Sequence, residues 1–404
     1  MKILQINTSV NSGSTGRIAE DIGKVMMQHR HESFIAYGRG KRPSSSNLIQ
    51  IGNKWDVNMH GVKTMLLDRH GFGSKNATLQ LVKQIEAIQP DVIGLHNLHG
   101  YYINIKVLFD FLKAVNIPVL WTLFDCWAFT GHCTYFDNIQ CKKWITGCHH
   151  CPKTRYYPTS YVLDQSKKNY DDKERLFNKL GKLELVVHSH WLKGLVQQSF
   201  LQEIPVHRIT SGINLDVFKP QESISGLIDK FNLGGKKILL GVASIWDPRK
   251  GLNDFVELSK IVPAHFQIVL IGLNKQQIKE LPRSILAIER TESTAELASW
   301  YSLADVFVNP TWQDNFPTTN LEALACGTPV ITYNTGGSPE AIDRYTGVSI
   351  EKGDVQALTN AIERVGSEDR LTYQVACRNR ALQFFNKDDR YRDYLNLYNS
   401  LLFS

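Results

Sequence analysis

The chain has 404 residues, too long for one ordinary core and suited to two domains of about 200 residues each. Hydrophobic residues are 43% and charged residues 21%, which excludes intrinsic disorder as its main character. Lys plus Arg number 46 against 39 Asp plus Glu; the resulting +7 suits an acidic ligand or an anionic membrane surface and, without a dense basic stripe, argues against a nucleic-acid binder.

Lys2–Thr8 reads as a buried strand and Ser9–Thr15 as a Ser/Gly/Asn loop. Ile18, Ile22, Val25 and Met26 then recur at helical spacing. The opening residues lack the apolar core of a secretory signal, and no stretch approaches the ~18 apolar residues of a spanning helix, so a cytoplasmic protein is expected. Strand-like runs follow at Phe34–Tyr37, Val92–Leu95, Val119–Leu123, Leu185–His188 and Val206–Thr210, with helices at Leu79–Ile88 and Ile105–Val115 between them. This alternation predicts an α/β fold, a parallel sheet covered by helices on both faces. Residues 1–210 form one Rossmann-like domain with a Cys-rich insertion at 126–151.

Residues 211–235, with Pro220 and four glycines, read as a linker. A second domain is expected over 236–385. Its opening strand, Lys237–Ala243, echoes the chain start; helix Leu252–Ile261, strand Gln267–Ile271, helix Thr294–Leu303 and strand Val306–Asn309 follow. Residues 386–404 should form an aromatic helix, with Tyr391, Tyr394, Leu395, Tyr398 and Leu402 on one side, whose candidate seat is the N-terminal domain. Two doubly wound domains facing across a cleft place the active site at their strand carboxyl ends.

Five segments offer chemistry. In Asn309–Glu340, Asp314 lies in a loop after a strand and Glu322 in the second turn of an expected helix, Thr318–Ala325. That helix start offers unpaired N–H groups and a positive dipole end to a phosphate, and the two carboxylates could accept hydrogen bonds from a sugar and a ribose. The alternative is a solvated pair of acids. Trp246-Asp247-Pro248-Arg249-Lys250-Gly251 ends a strand with two cations suited to a diphosphate, where the plain alternative is a solvated basic turn. Asn11–Arg17 places Gly13 and Gly16 after the first strand, where a backbone can approach a ligand closely or simply turn. His96, His99 and Asp125 sit at strand ends near the crevice, although lone histidines are more often structural. Finally, Cys133, Cys141, Cys148 and Cys151 have spacing that could give a structural zinc site through four thiolates, or remain a loop of reduced cysteines; the two readings stand level.

The Asn309–Glu340 block resembles the family 4 glycosyltransferases, retaining enzymes of the GT-B fold. Their signature is two acids separated by seven residues, a Glu-Ala-x-Ala-x-Gly-x-Pro-Val run and a Gly-Gly-x-Pro-Glu turn. Here these are Asp314, Glu322, Ala323, Ala325, Gly327, Pro329, Val330 and Gly336 to Glu340. The first acid is Asp where the family usually has Glu, and Phe124-Asp125 stands where relatives carry His-Asp. Asp314-Asn315-Phe316-Pro317 looks like the variant of a branch that makes bacterial surface polysaccharides such as colanic acid, O-antigen and capsule, in which the cysteine cluster also recurs. The resemblance implies a donor site at Gly13, Gly16, Arg249, Lys250, Asp314, Asn315, Phe316, Pro317, Thr318, Thr319 and Glu322. It implies catalytic roles for Asp314, Arg249, Lys250 and Asp125. The substrates would be a UDP- or GDP-sugar and a lipid-linked oligosaccharide. No divalent cation is expected, since the chain has no Asp-x-Asp and cations with a helix dipole can hold a diphosphate.

Rival readings are a nucleotide-sugar epimerase of the same fold, which needs no acceptor, and a dinucleotide-dependent oxidoreductase, which would need Gly-x-Gly-x-x-Gly and a following acid. A zinc-dependent nucleic-acid module is disfavoured by the dilute charge. Peripheral contact with an anionic membrane is expected through Lys167, Lys168, Lys173, Arg175, Lys179 and Lys182, with Trp191, Leu192, Leu195 and Val196 beside them. The competing reading makes the basic run a solvated face, its cations paired with Asp171, Asp172 and Glu174.

Overall fold

Apolar runs such as Lys237–Val242 alternate with amphipathic helices, and strands of that kind are stable only where both faces are covered. In the computed structural model, which describes residues 1–222 and 224–403, they assemble into two wholly parallel sheets. The first contains β1 (Lys2–Asn7), β2 (Glu32–Tyr37), β3 (Asn47–Gln50), β4 (Val92–Leu95), β5 (Val119–Leu123), β6 (Leu183–Val187) and β7 (Val206–Arg208). Its order is β3-β2-β1-β4-β5-β6-β7. The second contains β8 (Lys237–Val242), β9 (Phe266–Ile271), β10 (Ile285–Ile288), β11 (Val306–Asn309), β12 (Val330–Tyr333) and β13 (Gly347–Ile350), in the order β10-β9-β8-β11-β12-β13. The winding direction reverses between β1 and β4 and between β8 and β11. In open parallel sheets, ligands bind outside the strand carboxyl ends at such reversals.

The chain divides into two units, Met1–Ile209 with the stretch from Tyr391 onward, and Thr210–Arg390. The helix Lys387–Phe403 carries Tyr394 and Tyr398 into the first unit, both buried against Ile3, Val92, Leu120 and Val186. Gly94 leaves room for it, since a Cβ there would stand 2.3 Å from the Tyr398 hydroxyl.

Three expectations need correction. The segment 211–235 is not a bare linker: Ile213, Leu215, Phe218 and Leu233 are buried in the second unit's core, and Ser225–Phe231 is helical. The first glycine loop is shorter than expected, because the helix Gly13–Gln28 starts at Gly13 and takes both Gly13 and Gly16 into its first turn.

The third correction concerns the basic segment. In the helix Ser166–Phe177, Lys173 is only 1% exposed; its ammonium donates to the carbonyls of Trp127 (2.6 Å) and Thr130 (2.9 Å) and lies 3.6 Å from the Trp127 ring. Burial pulls its pKa down to about 7. Lys167 pairs with Asp171, and Lys168 and Arg175 with Asp172. Leu192 and Val196 are fully buried. Lys173, Leu192 and Val196 therefore belong to the interior, while Lys167, Lys168, Arg175, Lys179 and Lys182 stay exposed and Trp191 and Leu195 half-buried. No helix among the described residues is long and apolar enough to cross a membrane.

Candidate functional site

In the second unit, the loops after β8 and β11 lie against each other at the winding reversal. Gly251, at φ +78°, makes this possible, since a Cβ there would stand 2.2 Å from the Pro310 carbonyl. The Trp312 amide then donates to the Arg249 carbonyl at 2.7 Å, and the Arg249 guanidinium donates to the Gln313 carbonyl at 3.1 Å and pairs with Asp247. Lys250 reaches the Asp314 carboxylate at 2.5 Å, both side chains largely buried. Asp314 is held from behind by the glycine turn, where a Cβ on Gly336 would fall 1.8 Å from the Asp314 carbonyl.

The helix Thr318–Ala325 starts four residues after Asp314, with Pro317 before its first turn and no side-chain cap. Its leading N–H groups and positive dipole end lie beside buried Asn315 and Phe316. One turn on, Glu322 accepts a 2.9 Å hydrogen bond from the hydroxyl of fully buried Tyr301. Burial and the nearby Glu322 charge hold that phenol well above its ordinary range, so it stays a donor. The fold thus gathers Arg249, Lys250, Asp314, Asn315, Phe316, Pro317, Thr318, Thr319 and Glu322 at one end of the second sheet.

Sequence reasoning missed the supports. Asp254, on the helix Leu252–Ile261, accepts from the Trp312 indole (2.8 Å) and the Tyr333 hydroxyl (2.6 Å), pinning the loop that carries Asp314. Tyr301 and Asp254 gave no signal of their own in the sequence.

Gly13, Gly16 and Asp125 belong to the first unit. Gly13 has φ +67°, and a Cβ on it would meet nothing within 4 Å; one on Gly16 would press into Ser9, whose hydroxyl holds the loop by bonding the Ser12 carbonyl. At the ends of β4 and β5, Asp125 accepts from His99 Nε2 (2.7 Å) and from the Trp127 amide (2.9 Å). With Nε2–H given to the carboxylate, His99 Nδ1 accepts from the Tyr157 hydroxyl at 2.9 Å. Asp125 therefore orients His99, and Tyr157, which sequence reasoning missed, ends the chain of bonds. His99, Asp125 and Phe124 line a cavity of ≈ 20 Å³, enough for a single water-sized group. His96 is structural: it is buried, bonds Gln5 at 2.8 Å, and burial lowers its pKa to about 3.

Cys133, Cys141, Cys148 and Cys151 line one further small cavity. Among the described residues no three His, Cys, Asp or Glu side chains are grouped so as to hold a metal ion. Cys133 and Cys151 bond each other instead. That bond, then burial, keeps the Cys133 thiol protonated, and it lowers Cys151 to about 7; burial raises Cys148 to about 11. All the cysteines are free thiols.

Comparison with known proteins adds three findings. Residues 236–368 match the family described as Glycosyl transferases group 1, and this segment holds Arg249, Lys250, Asp314 and Glu322. The chain is 22% identical over 391 residues, 89% of each protein, to WcaC of Escherichia coli (strain K12), named for glycosyl transfer in colanic acid biosynthesis. Over 47% of the chain and 53% of the relative it is 25% identical to the N,N'-diacetylbacillosaminyl-diphospho-undecaprenol alpha-1,3-N-acetylgalactosaminyltransferase of Campylobacter jejuni. Among solved structures, Anabaena HepE in complex with UDP superposes with a TM-score of 0.69, at 16% identity, over 99% of this chain and all of that one. That likeness shows a shared fold, the GT-B pairing of two Rossmann-like sheets.

Proposed function

We propose that this chain, a glycosyltransferase carrying a group 1 glycosyl transferase domain at residues 236–368, moves a sugar from a nucleotide-sugar to a hydroxyl of a lipid-linked glycan with retention at the anomeric carbon, as in the family 4 enzymes it resembles. The observation that carries this reading is the Lys250–Asp314 pair, set beside Arg249 and the uncapped start of Thr318–Ala325. A diphosphate there meets two cations and a helix dipole, so charge developing on the leaving oxygen is stabilised without a divalent ion. As Lys250 turns to the phosphate, Asp314 is released to accept from the sugar hydroxyls. Glu322, steadied by Tyr301, accepts from the ribose diol. In the front-face displacement typical of such enzymes, the acceptor hydroxyl arrives on the face the diphosphate leaves and passes its proton to the phosphate oxygen.

The acceptor is assigned to the first unit, where Tyr157, His99 and Asp125 offer a bonded chain that can position a hydroxyl. The Campylobacter relative, by its name, acts on an undecaprenyl-diphosphate-linked sugar, which supports a lipid-borne acceptor. HepE's complex with UDP makes a uridine nucleotide the first to try, with GDP the alternative.

The test is release of nucleoside diphosphate from UDP- and GDP-sugars, with and without undecaprenyl-diphosphate-linked acceptors and with EDTA present. Transfer is expected only with acceptor, unaffected by chelation, giving a product whose anomeric proton coupling matches the donor's. Conversion of the nucleotide-sugar without acceptor would establish the epimerase instead, and an inverted product would end the retaining reading.

A further inference from the structure

The loop that follows β2, Gly38-Arg39-Gly40-Lys41-Arg42-Pro43, carries three cations and no acid. All three are exposed, and among the described residues none is ion-paired. A basic surface turn of this kind is ordinarily solvated and free to move. This one is fixed. The Gly38 and Arg39 amides both donate to the Thr8 carbonyl (3.2 and 2.8 Å), the Val10 amide to the Gly40 carbonyl (3.0 Å) and the Arg42 amide to the Val10 carbonyl (3.2 Å). The Asn11 side-chain amide closes the loop, donating to the Pro43 carbonyl at 2.6 Å.

The His99 loop belongs to the same body. The Thr8 hydroxyl donates to the carbonyls of Asn97 (3.1 Å) and His99 (2.6 Å). Gly100 follows at φ +114°, and a Cβ on it would stand 2.7 Å from the Thr8 methyl and 3.6 Å from the Arg39 guanidinium. Arg39 therefore lies against the residue after His99. Its charge reaches the phenols of Tyr101 and Tyr157, where burial raises both pKa values and the guanidinium opposes that rise. Tyr157 is the phenol that bonds His99. Two acids nearby keep their charge. Asp125 bonds the other ring nitrogen of His99, and Glu20, 1% exposed, accepts from the Ser45 amide at 3.0 Å and pairs with Lys24 at 3.7 Å. Neither answers the three cations of the loop. They stand at the carboxyl ends of β1, β2 and β4, around the winding reversal where open sheets take their ligands. A guanidinium fork there matches the oxygens of a phosphate.

We propose that Arg39, with Lys41 and Arg42, holds the diphosphate that joins the acceptor's first sugar to its lipid, setting that sugar beside Tyr157 and His99. The proposal rests on the reading of a lipid-linked acceptor, and adds which group of it is recognised and by which residues. In the proposed reaction the donor's own diphosphate is met by Arg249 and Lys250 of the second unit, so the cations of the first unit answer a second anion. A neutral acceptor would leave them unanswered. A glycan carried on a diphosphate brings its charge next to its first sugar, and Arg39 lies next to the chain of bonds that can position a sugar hydroxyl.

The experiment is calorimetric titration of the full chain with geranyl diphosphate, inorganic pyrophosphate and geraniol. The variants are Arg39→Ala, Arg39→Lys, and Lys41→Ala with Arg42→Ala. Lys179→Ala with Lys182→Ala removes two exposed cations elsewhere in the first unit, and Lys250→Ala removes one at the donor site. Thermal melting checks that each is folded. Arg39→Ala is expected to weaken geranyl diphosphate roughly tenfold or more, Arg39→Lys less, and the Lys179 and Lys182 double variant hardly at all. Binding should persist in Lys250→Ala, and geraniol should not bind. In transfer, Arg39→Ala should raise KM for a diphosphate-linked acceptor with kcat little changed, and leave a phosphate-free analogue of the same glycan unaffected. Equal affinity of Arg39→Ala and wild type would overturn the proposal. So would an equal loss in the Lys179 and Lys182 double variant, which reads as diffuse charge, or a loss in Lys250→Ala alone, which puts the ligand in the donor site. Pyrophosphate that binds as tightly and is not displaced by geranyl diphosphate would assign the loop to a free anion and overturn the acceptor role. Arg39-dependent binding of geranyl diphosphate with no transfer to any acceptor would remove the enzymatic reading and leave the diphosphate site standing.

Discussion

At the scale of single residues, Lys250 pairs with Asp314, and the proposed reaction has it exchange that partner for the diphosphate. Lys250→Ala should lower transfer by ~10²–10³, the usual cost of one preorganised charge contact. It also leaves Asp314 unpaired and largely buried, so a modest drop in melting temperature should accompany it. Near-normal turnover in a folded Lys250→Ala protein would remove the diphosphate clamp. Tyr301 acts one step further out, since it touches Glu322 rather than donor. Tyr301→Phe keeps the packed ring and deletes the hydroxyl. A hydrogen bond to a charged group contributes ~1.5–3 kcal/mol, so donor KM should rise roughly tenfold or more with kcat little changed. A fall in kcat at constant KM would show that Glu322 does not serve the ribose.

At the scale of elements, the glycine turn and the acid loop act as one body. Gly336 has φ +55° and no room for a Cβ beside the Asp314 carbonyl. Gly336→Ala should therefore displace Asp314 and abolish most transfer while residues far from the turn, in β9 and β10, keep their amide protection. Retained activity would mean that the loop adapts. The same elements show what the sequence could and could not tell. Ile105–Val115, Leu252–Ile261, Thr294–Leu303 and Thr318–Ala325 were readable to the residue, because their apolar positions repeat at helical spacing or their ends carry strong signals. The loops of the candidate site stood out because Pro, Gly and paired charges cluster there in no helical or strand period. The helix Lys54–Leu67 was missed for the opposite reason: exposed Trp55, Met59, Val62 and Leu66 and buried His60 and Thr64 contradict the rule by which a helix is found. Lys173 was misplaced because a run of lysines looks solvated, and nothing local reveals that two carbonyls and the Trp127 ring await one of them. Tyr157 bonds a histidine 58 residues away, a contact that only the fold creates.

At the scale of the whole molecule, the two units differ in their response to acid. His60, His70, His96 and His188 are buried in the first unit, and the second contains one histidine, His265. Burial lowers His60 and His96 to about 3, His188 to about 4 and His70 well below its ordinary 6.5. Above pH 6.5 all four are neutral whether the chain is folded or not, and their burial is fully tolerated. Below it the unfolded chain takes up protons that the folded unit refuses, so stability falls progressively until the pH passes the folded values. His132 runs the other way. Its own burial lowers it, but the bond and charge of Asp68 outweigh that and raise it, so its contribution is complete below pH 6.5 and is lost as the pH climbs through the raised value. Below pH 6.5 the His132 contribution is constant, so it offsets none of the fall that the four buried histidines cause. The lowered carboxyls, Asp164 and Asp343, matter only below about 4, and one lies in each unit. Hydrogen exchange at pH 7.0 and 4.5, corrected for intrinsic rates, should therefore show β1, β4, β5 and β6 losing protection while β8, β9 and β11 keep theirs. Equal loss in both sheets, or none in the first, would mean that these four histidines are not the acid-sensitive element of the molecule.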